Sequence, residues 1–550
     1  MAQRRKVGGC GWGSSGKTAR PRRRRSALAA ASAFVLLGVG LAGPTTAWAS
    51  STETVIVTGA PGVNVVTDLL SLGGNLLEQF SIINGVEASL PSLLVPLLEA
   101  LPGISVTPDV TVSVQSTTES TGPHTPSDAF LEQTGATTLA NDGDNGQGVT
   151  VAVLDTGIDN LPDFAGRLIG GVDLTGAGEP FEDSYGHGTF VAGLIAGDGA
   201  SSDGQYSGAA PGADLVSIKA AGADGTTDIA TVIEGVQWAV ANQARYHIRV
   251  LNMSLGFQPI TSTVLNPLDM AVEAAWNSGI AVVAAAGNAG PFNGTILSPG
   301  DDPLVITVGS VDDLAQPVVA DDEMTNFSSV GPTSPDGWAK PDLVAPGRSV
   351  VSLAAPGSTV YEENPSARIG TGNFVGSGTS FSAAITSGAA ALILEQDPSL
   401  TPDELKARLL GTTNPGPVGD PFVDGHGVLD AAAAAAAGPM DLRQSTVGVL
   451  LTKLGSTVSL SPTGPADSWN ARLWSGSAWS GSAWSGSAWS GSAWNGSAWN
   501  GFAWSGSAWS GSAWSGSAWS GSAWSGSAWS GSAWSGSAWS GSAWSGSSWN

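Results

Sequence analysis

Cysteine is all but missing. Cys10 is the one thiol in 550 residues, so no intrachain disulfide can staple the fold and no Cys/His zinc cluster can form. Histidine is scarce too: His124, His187, His247 and His426 are the whole supply, and no H-E-x-x-H spacing occurs among them. Basic residues are few after the first fifty positions. Those fifty hold nine Lys/Arg and no acid, which leaves 12 bases against 46 acids, a net charge of −34, from there to Asn550. Such an acidic chain has no electrostatic attraction to nucleic acid or to an anionic membrane surface, and no nucleic-acid partner is expected.

What is present divides into segments, as a chain too long for one ordinary domain should. A basic start, an apolar stretch from about Ser26 to Leu41 and Ala47-Trp48-Ala49 form the n-region, h-region and A-x-A exit of a secretory signal over residues 1–49. Residues 50–115 alternate strand-like and helix-like apolar runs in a β-α-β-β-α-β order, predicting a small ferredoxin-like α+β unit. The polar stretch QSTTESTGPHTPSD opens a linker, residues 116–140, that suits proteolysis. Residues 141–435 alternate buried strand runs (VTVAVLD, DLVSIKA, VLNMSL, IAVVAAAG) with helical ones, the pattern of a mostly parallel sheet covered on both faces. A connecting segment, 436–468, leads to a tail over 469–550. There the composition collapses to Trp, Ser, Gly, Ala and a little Asn, with Trp every fifth residue. Five-residue spacing matches neither a helix face nor a strand, so this array reads as low-complexity. Its rings could stack on sugars as a cell-wall or polysaccharide anchor, or it is an expanded or self-associating tail.

Four short segments carry chemistry. Asp155 ends VTVAVLDTGID, His187 lies in GHGTFVAG, Asn288 in VVAAAGNAG and Ser380 in GSGTSFSAA. A serine hydroxyl needs an imidazole to take its proton, and a carboxylate to hold that imidazole in one tautomer. The oxyanion formed on attack needs preorganised donors, which the Asn288 amide and the Ser380 backbone N–H at a helix start can provide. Each residue alone has an ordinary reading as a turn or cap. Together they make a set for acyl transfer.

The order Asp, His, Ser and the segments around it resemble the subtilisin family of serine endopeptidases (subtilases) from about Gly148 to Asp430. LNMSLG, KAAGADGTT, KPDLVAPG and GHGVLDAAAA add to the likeness. The resemblance implies a three-layer α/β fold, residues 50–115 as an inhibitory propeptide, and Asp155, His187 and Ser380 as triad with Asn288 on the oxyanion. It also implies Ser254, Leu255 and Gly256 as one wall of the substrate cleft and Gly225, Thr226 and Thr227 as the other. The expected protein is a secreted, extracellular or cell-wall-associated endopeptidase that acts on proteins or peptides and processes itself. No cofactor is needed for catalysis. Relatives use structural calcium, but the acid pairs Asp301-Asp302, Asp312-Asp313 and Asp321-Asp322-Glu323 follow no EF-hand spacing and read as solvated loop acids. Two positions depart from the family: Phe190 stands where His is usual, and Ala384-Ile385 replace a Pro-His pair. The rival reading is a non-catalytic surface or matrix protein whose Trp-rich tail is the working part.

Overall fold

The computed structural model describes residues 51–114, 125–176 and 179–438, together with the backbone of the short strands Thr452–Leu454 and Thr457–Ser459. The signal-like segment 1–49, most of the linker's start and the Trp array lie outside the described residues.

The first unit runs β1 (Thr52–Gly59), α1 (Val65–Ser71), β2 (Asn75–Phe80), β3 (Gly85–Pro91), α2 (Val95–Glu99) and β4 (Ile104–Pro108). Its sheet order is β2-β3-β1-β4, with every neighbour antiparallel, which is the ferredoxin-like arrangement expected from the alternating runs. Val55 and Val57 of β1 join Leu69 of α1 and Leu98 of α2 in a small core. The run ISVTPDVTVSV does not form one strand. It breaks after Pro108, and β5 (Thr111–Val114) leaves this sheet altogether.

In the larger unit α3 (Phe130–Gln133) and α4 (Ala136–Asp142) lead to β6 (Thr150–Asp155), β7 (Leu168–Asp173), α5 (His187–Ala196), β8 (Asp214–Lys219), β9 (Thr226–Asp228) and α6 (Ile229–Tyr246). Then follow β10 (Ile248–Met253), β11 (Leu255–Gly256), α7 (Pro267–Asn277), β12 (Ala281–Ala285), β13 (Ile306–Asp312), β14 (Glu323–Met324), β15 (Leu343–Pro346) and β16 (Val350–Leu353). The chain continues through α8 (Thr359–Glu363), β17 (Arg368–Ile369), β18 (Asn373–Gly376), α9 (Thr379–Gln396), α10 (Pro402–Gly411) and α11 (Ala431–Ala436).

The central sheet has the order β14-β13-β12-β10-β6-β8-β7, with β15 also on β13, and only the β13–β14 pair is antiparallel. Helices α6 and α7 pack together against it, as do α5 and α9. With both faces covered, β6 and β12 are buried at every position, which is why their sequences run apolar without alternation. Helix α9 is buried almost all round; its Ser, Ala and Gly content lets it pass through the middle of the core. Helix α10 begins with the Thr401/Glu404 capping box.

A charged group is sealed under β13 and β15. The Lys340 ammonium donates to Asp342 at 2.6 Å, to Val305 O at 2.9 Å and to Thr307 Oγ1 at 2.8 Å. The Lys406 ammonium donates to the carbonyls of Pro303, Leu304 and Val305 and lies 3.1 Å from the same carboxylate. Burial pushes Asp342 up, but the two ammoniums together hold it below its ordinary value, while burial drives Lys406 down to about 7. Removing the shared anion leaves the buried Lys340 ammonium without its counter-charge and drives Lys406 further toward the neutral amine. Asp342→Ala should therefore lose about 3–5 kcal/mol of stability, read from denaturant unfolding. A loss below about 1 kcal/mol, the worth of an exposed pair, would contradict this account of the group.

Candidate active site

Asp155 closes β6 and is fully buried. Its Oδ1 accepts from Thr156 N and from His187 Nδ1, both at 2.8 Å, and its Oδ2 lies 3.0 Å from the same ring nitrogen. A carboxylate accepts from Nδ1, so in the neutral imidazole the proton sits on Nδ1 and the lone pair on Nε2. Nε2 is buried and makes no hydrogen bond.

His187 is the first residue of α5, and a second carboxylate fixes the turn before it. Asp183 Oδ1 accepts from Thr156 Oγ1 at 2.8 Å and Gly186 N at 2.7 Å, and its Oδ2 accepts from Thr189 N at 2.8 Å. Burial raises Asp183 above its ordinary value against the pull of these donors. Sequence reading passed over Asp183. Its only signal is an acid just ahead of a helix start, a common capping position.

Ser380 sits in the first turn of α9, where backbone amides have no partner within the helix. Its Oγ donates to Ser254 O at 3.0 Å, while Ser254 Oγ donates back to Ser380 O at 3.0 Å. Behind them Asn252 Nδ2 donates to Ser254 Oγ and Ser387 Oγ to Asn252 Oδ1, each at 2.9 Å. This buried chain ties the start of α9 to the end of β10. The Ser380 hydroxyl is turned to the Ser254 carbonyl, and His187 Nε2 has no hydrogen-bond partner.

Asn288 follows β12. Its Oδ1 accepts from Thr379 N and Thr379 Oγ1, both at 3.0 Å, and Thr379 Oγ1 in turn accepts from Gly287 N at 3.1 Å. Oδ1 is thus committed, and Nδ2 is buried without a partner. Thr379 was legible only as a cap residue in GTSFS, not as the group that aims the amide.

The two expected walls stand on either side of one strand. β5 pairs antiparallel with β11 (Ser113 to Gly256, Val114 to Leu255) and with β9 (Thr111 to Asp228, Val112 to Thr227, Ser113 to Thr226). Val114 N also donates to Gly225 O at 3.1 Å. Ser254, Leu255, Gly256, Gly225, Thr226 and Thr227 are therefore gathered around a segment of the chain itself. Residues Leu297 and Ser298 bridge the segments that follow β12 and β11. Leu297 N donates to Ala286 O at 3.0 Å, and Ser298 and Phe257 exchange backbone hydrogen bonds of 3.0 and 3.2 Å. A Cβ on Gly287, whose φ is +110°, would come within 2.7 Å of the Leu297 side chain, so glycine is required there.

The solvated-loop reading of the acid pairs needs correction. Asp301, Asp302, Asp312, Asp313 and Asp322 are all buried, because partners remote in sequence enclose them. Ser127 Oγ donates to Asp313 at 2.8 Å and Gln133 Nε2 to Asp322 at 2.6 Å. Burial, and the neighbouring Asp302, raise Glu273 well above its ordinary value, and burial raises Asp302 as well. Among the described residues no group of three or more His, Cys, Asp or Glu is placed to hold a metal ion.

Comparison with known proteins agrees with this architecture. The subtilase family pattern matches residues 146–447. Serine protease AprX of Bacillus subtilis (strain 168) is 44% identical over 292 residues, covering 52% of this chain and 66% of that protein. Subtilisin NAT of Bacillus subtilis subsp. natto is 32% identical over 368 residues, covering 66% of this chain and 84% of that protein. Among solved structures, fervidolysin from Fervidobacterium pennivorans, described as a keratinolytic enzyme related to subtilisin, superposes with a TM-score of 0.56 at 23% identity. That match covers 71% of this chain and 62% of that one, and it speaks to the fold. The chain belongs to the subtilase family and is a subtilisin-like serine endopeptidase.

Proposed function

We propose that Asp155, His187 and Ser380 form the catalytic triad of a secreted, self-processing endopeptidase, with Asn288 donating to the oxyanion. The observation that carries this is the buried Asp155–His187 pair with its unbonded Nε2, set beside a helix start that holds Ser380 and the spare Asn288 donor. Ser380 Oγ bonds to the scissile carbonyl carbon as its proton passes to His187 Nε2. Asp155 stabilises the imidazolium so formed. Collapse of the tetrahedral intermediate breaks the C–N bond, the proton goes to the leaving amine, and water later releases the acyl group by the reverse relay. The backbone edges of β9 and β11 read an extended substrate as an added strand, which favours broad specificity. Export is proposed on the basic, apolar and A-x-A order of residues 1–49.

The pairing of β5 supports a proposal for the first bond cut. Ser113 faces Gly256 and Val114 faces Leu255, and the residue before Leu255 is Ser254, whose carbonyl accepts the Ser380 hydroxyl. The residue after Val114 in sequence is Gln115, so the proposed first cut is the bond from Gln115 to Ser116. Mass spectrometry and N-terminal sequencing of the processed enzyme should give Ser116 as its first residue at the primary cut. A primary cut elsewhere would break the register argument.

After that cut, residues 50–115 stay docked as an inhibitor in this reading. Asp109 Oδ1 accepts from Ala230 N at 3.1 Å at the start of α6. Burial first, and the neighbouring charge of Asp228 second, lift its carboxyl from 3.8 to about 6. A raised value means docking favours the protonated acid: its contribution is complete below 3.8 and fades as pH rises through 6. The processed segment should therefore be retained at pH 5 and released more readily at pH 8, as followed by gel filtration. Asp109→Asn, which keeps the acceptor, should flatten that dependence. An unchanged pH profile in this variant would remove Asp109 from the account.

A further inference from the structure

Phe190, which departs from the family pattern, has a partner that sequence could not supply. It lies one turn after His187 on α5, so both face the same way. What they face is Phe381, the residue after Ser380 on α9. The Phe381 ring lies 4.3 Å from that of Phe190 and 5.6 Å from the His187 imidazole, tilted 32° to it. Both phenyl rings are buried. On the far side Gly376 of β18 leaves room for them: a Cβ there would come within 2.6 Å of Phe381 and 3.1 Å of Phe190.

His187 itself is anchored at one edge only. Asp155 holds Nδ1, and Nε2 has no partner, so hydrogen bonding leaves the ring free to swing about the Nδ1 contact. The Phe381 ring is the second constraint on the imidazole plane. It also offers a π surface about 6 Å or less from the ring that must become a cation during proton transfer, the range in which such contacts attract.

We propose that Phe381 and Phe190 are positioning residues for the general base: Phe190 and Gly376 clamp Phe381, and Phe381 fixes the plane of His187 against the helix that carries Ser380. This rests on His187 serving Ser380 as base. If hydrolysis did not depend on Ser380 or His187, that earlier reading would fail; the clamp is judged by what ring removal does to an enzyme that does depend on them.

The test uses processed enzyme, with sites counted by a fluorophosphonate label taken to completion so that misfolded chains are excluded. Phe381→Leu, apolar but without a ring, should lower kcat per labelled site about tenfold, with KM changed less than about twofold. Phe190→Leu should lower kcat in the same manner by a smaller factor, and the double variant should lose less than the product of the two, because both act through one ring. Phe381→Tyr and Phe190→Tyr, which keep the rings, should retain most of kcat. The proposal is overturned if the Leu variants keep wild-type kcat per site while only their melting temperature falls, if the loss appears in KM, or if the two losses multiply fully. Should Phe381→Leu yield no labelled sites, Phe190→Leu and its Tyr counterpart carry the same comparison of kcat per site.

Discussion

Replacing Ser380 by Ala should abolish peptide hydrolysis and leave the chain as an uncut precursor. The expected loss in kcat is about a millionfold, the scale on which triads of this kind fail when the nucleophile is removed. Residual hydrolysis would come from substrate binding and the oxyanion donors alone. Folding should be spared, since the hydroxyl donates to Ser254 O, a backbone carbonyl with two lone pairs. Self-processing should fail with it. Strand β5 pairs with β9 and β11 within the same chain, which favours cleavage in cis by Ser380. Purified Ser380→Ala should therefore run at precursor length indefinitely. Adding a trace of wild-type enzyme separates an uncut bond from an uncuttable one: conversion then shows the linker to be cleavable in trans. Precursor that matures alone in the Ser380→Ala chain would refute self-processing and leave the triad to be judged on peptides.

How much of this was legible in sequence follows from how local each feature is. Asp155, His187, Asn288 and Ser380 could be picked out because each terminates an apolar strand run or opens an apolar helix, a signal contained within a dozen residues. The β-α-β-β-α-β unit was legible for the same reason. Edge strand β7 escaped notice, since LIGGVD carries two glycines and is only half-buried. The separation of β4 from β5 was hidden because it depends on partners more than a hundred residues away, Thr226–Asp228 and Leu255–Gly256, and not on the run ISVTPDVTVSV itself. Buried acids failed on the same ground. Asp313 and Asp322 look like loop acids until Ser127 and Gln133, 186 and 189 residues earlier, close over them. Phe190 marks a third kind of limit. Sequence showed that it was unusual; only the packing of α5 on α9 showed that it meets Phe381.

Asn288→Ala should lower kcat about a hundred- to a thousandfold while KM changes little, because the lost donor matters when negative charge gathers on the carbonyl oxygen. The geometry makes this sharper than a general expectation for an amide near a nucleophile. Thr379 N and Thr379 Oγ1 both donate to Oδ1, which settles which end of the amide is oxygen and leaves Nδ2 buried and unbonded. A buried unpaired donor is costly in the resting enzyme, and that cost is recovered only when an acceptor arrives. Two further substitutions divide the effect. Thr379→Val removes one of the two anchors on Oδ1, so the amide loses aim but not identity, and kcat should fall by about tenfold, less than with the donor gone. Asn288→Asp keeps an acceptor for Thr379 but puts a carboxylate where the oxyanion must form, so it should be worse than Ala in spite of its closer shape. The order Thr379→Val, Asn288→Ala, Asn288→Asp in increasing loss of kcat is the signature of a donor to developing charge. If Asp were milder than Ala, Asn288 would be acting through packing, and if the losses fell in KM it would belong to substrate binding.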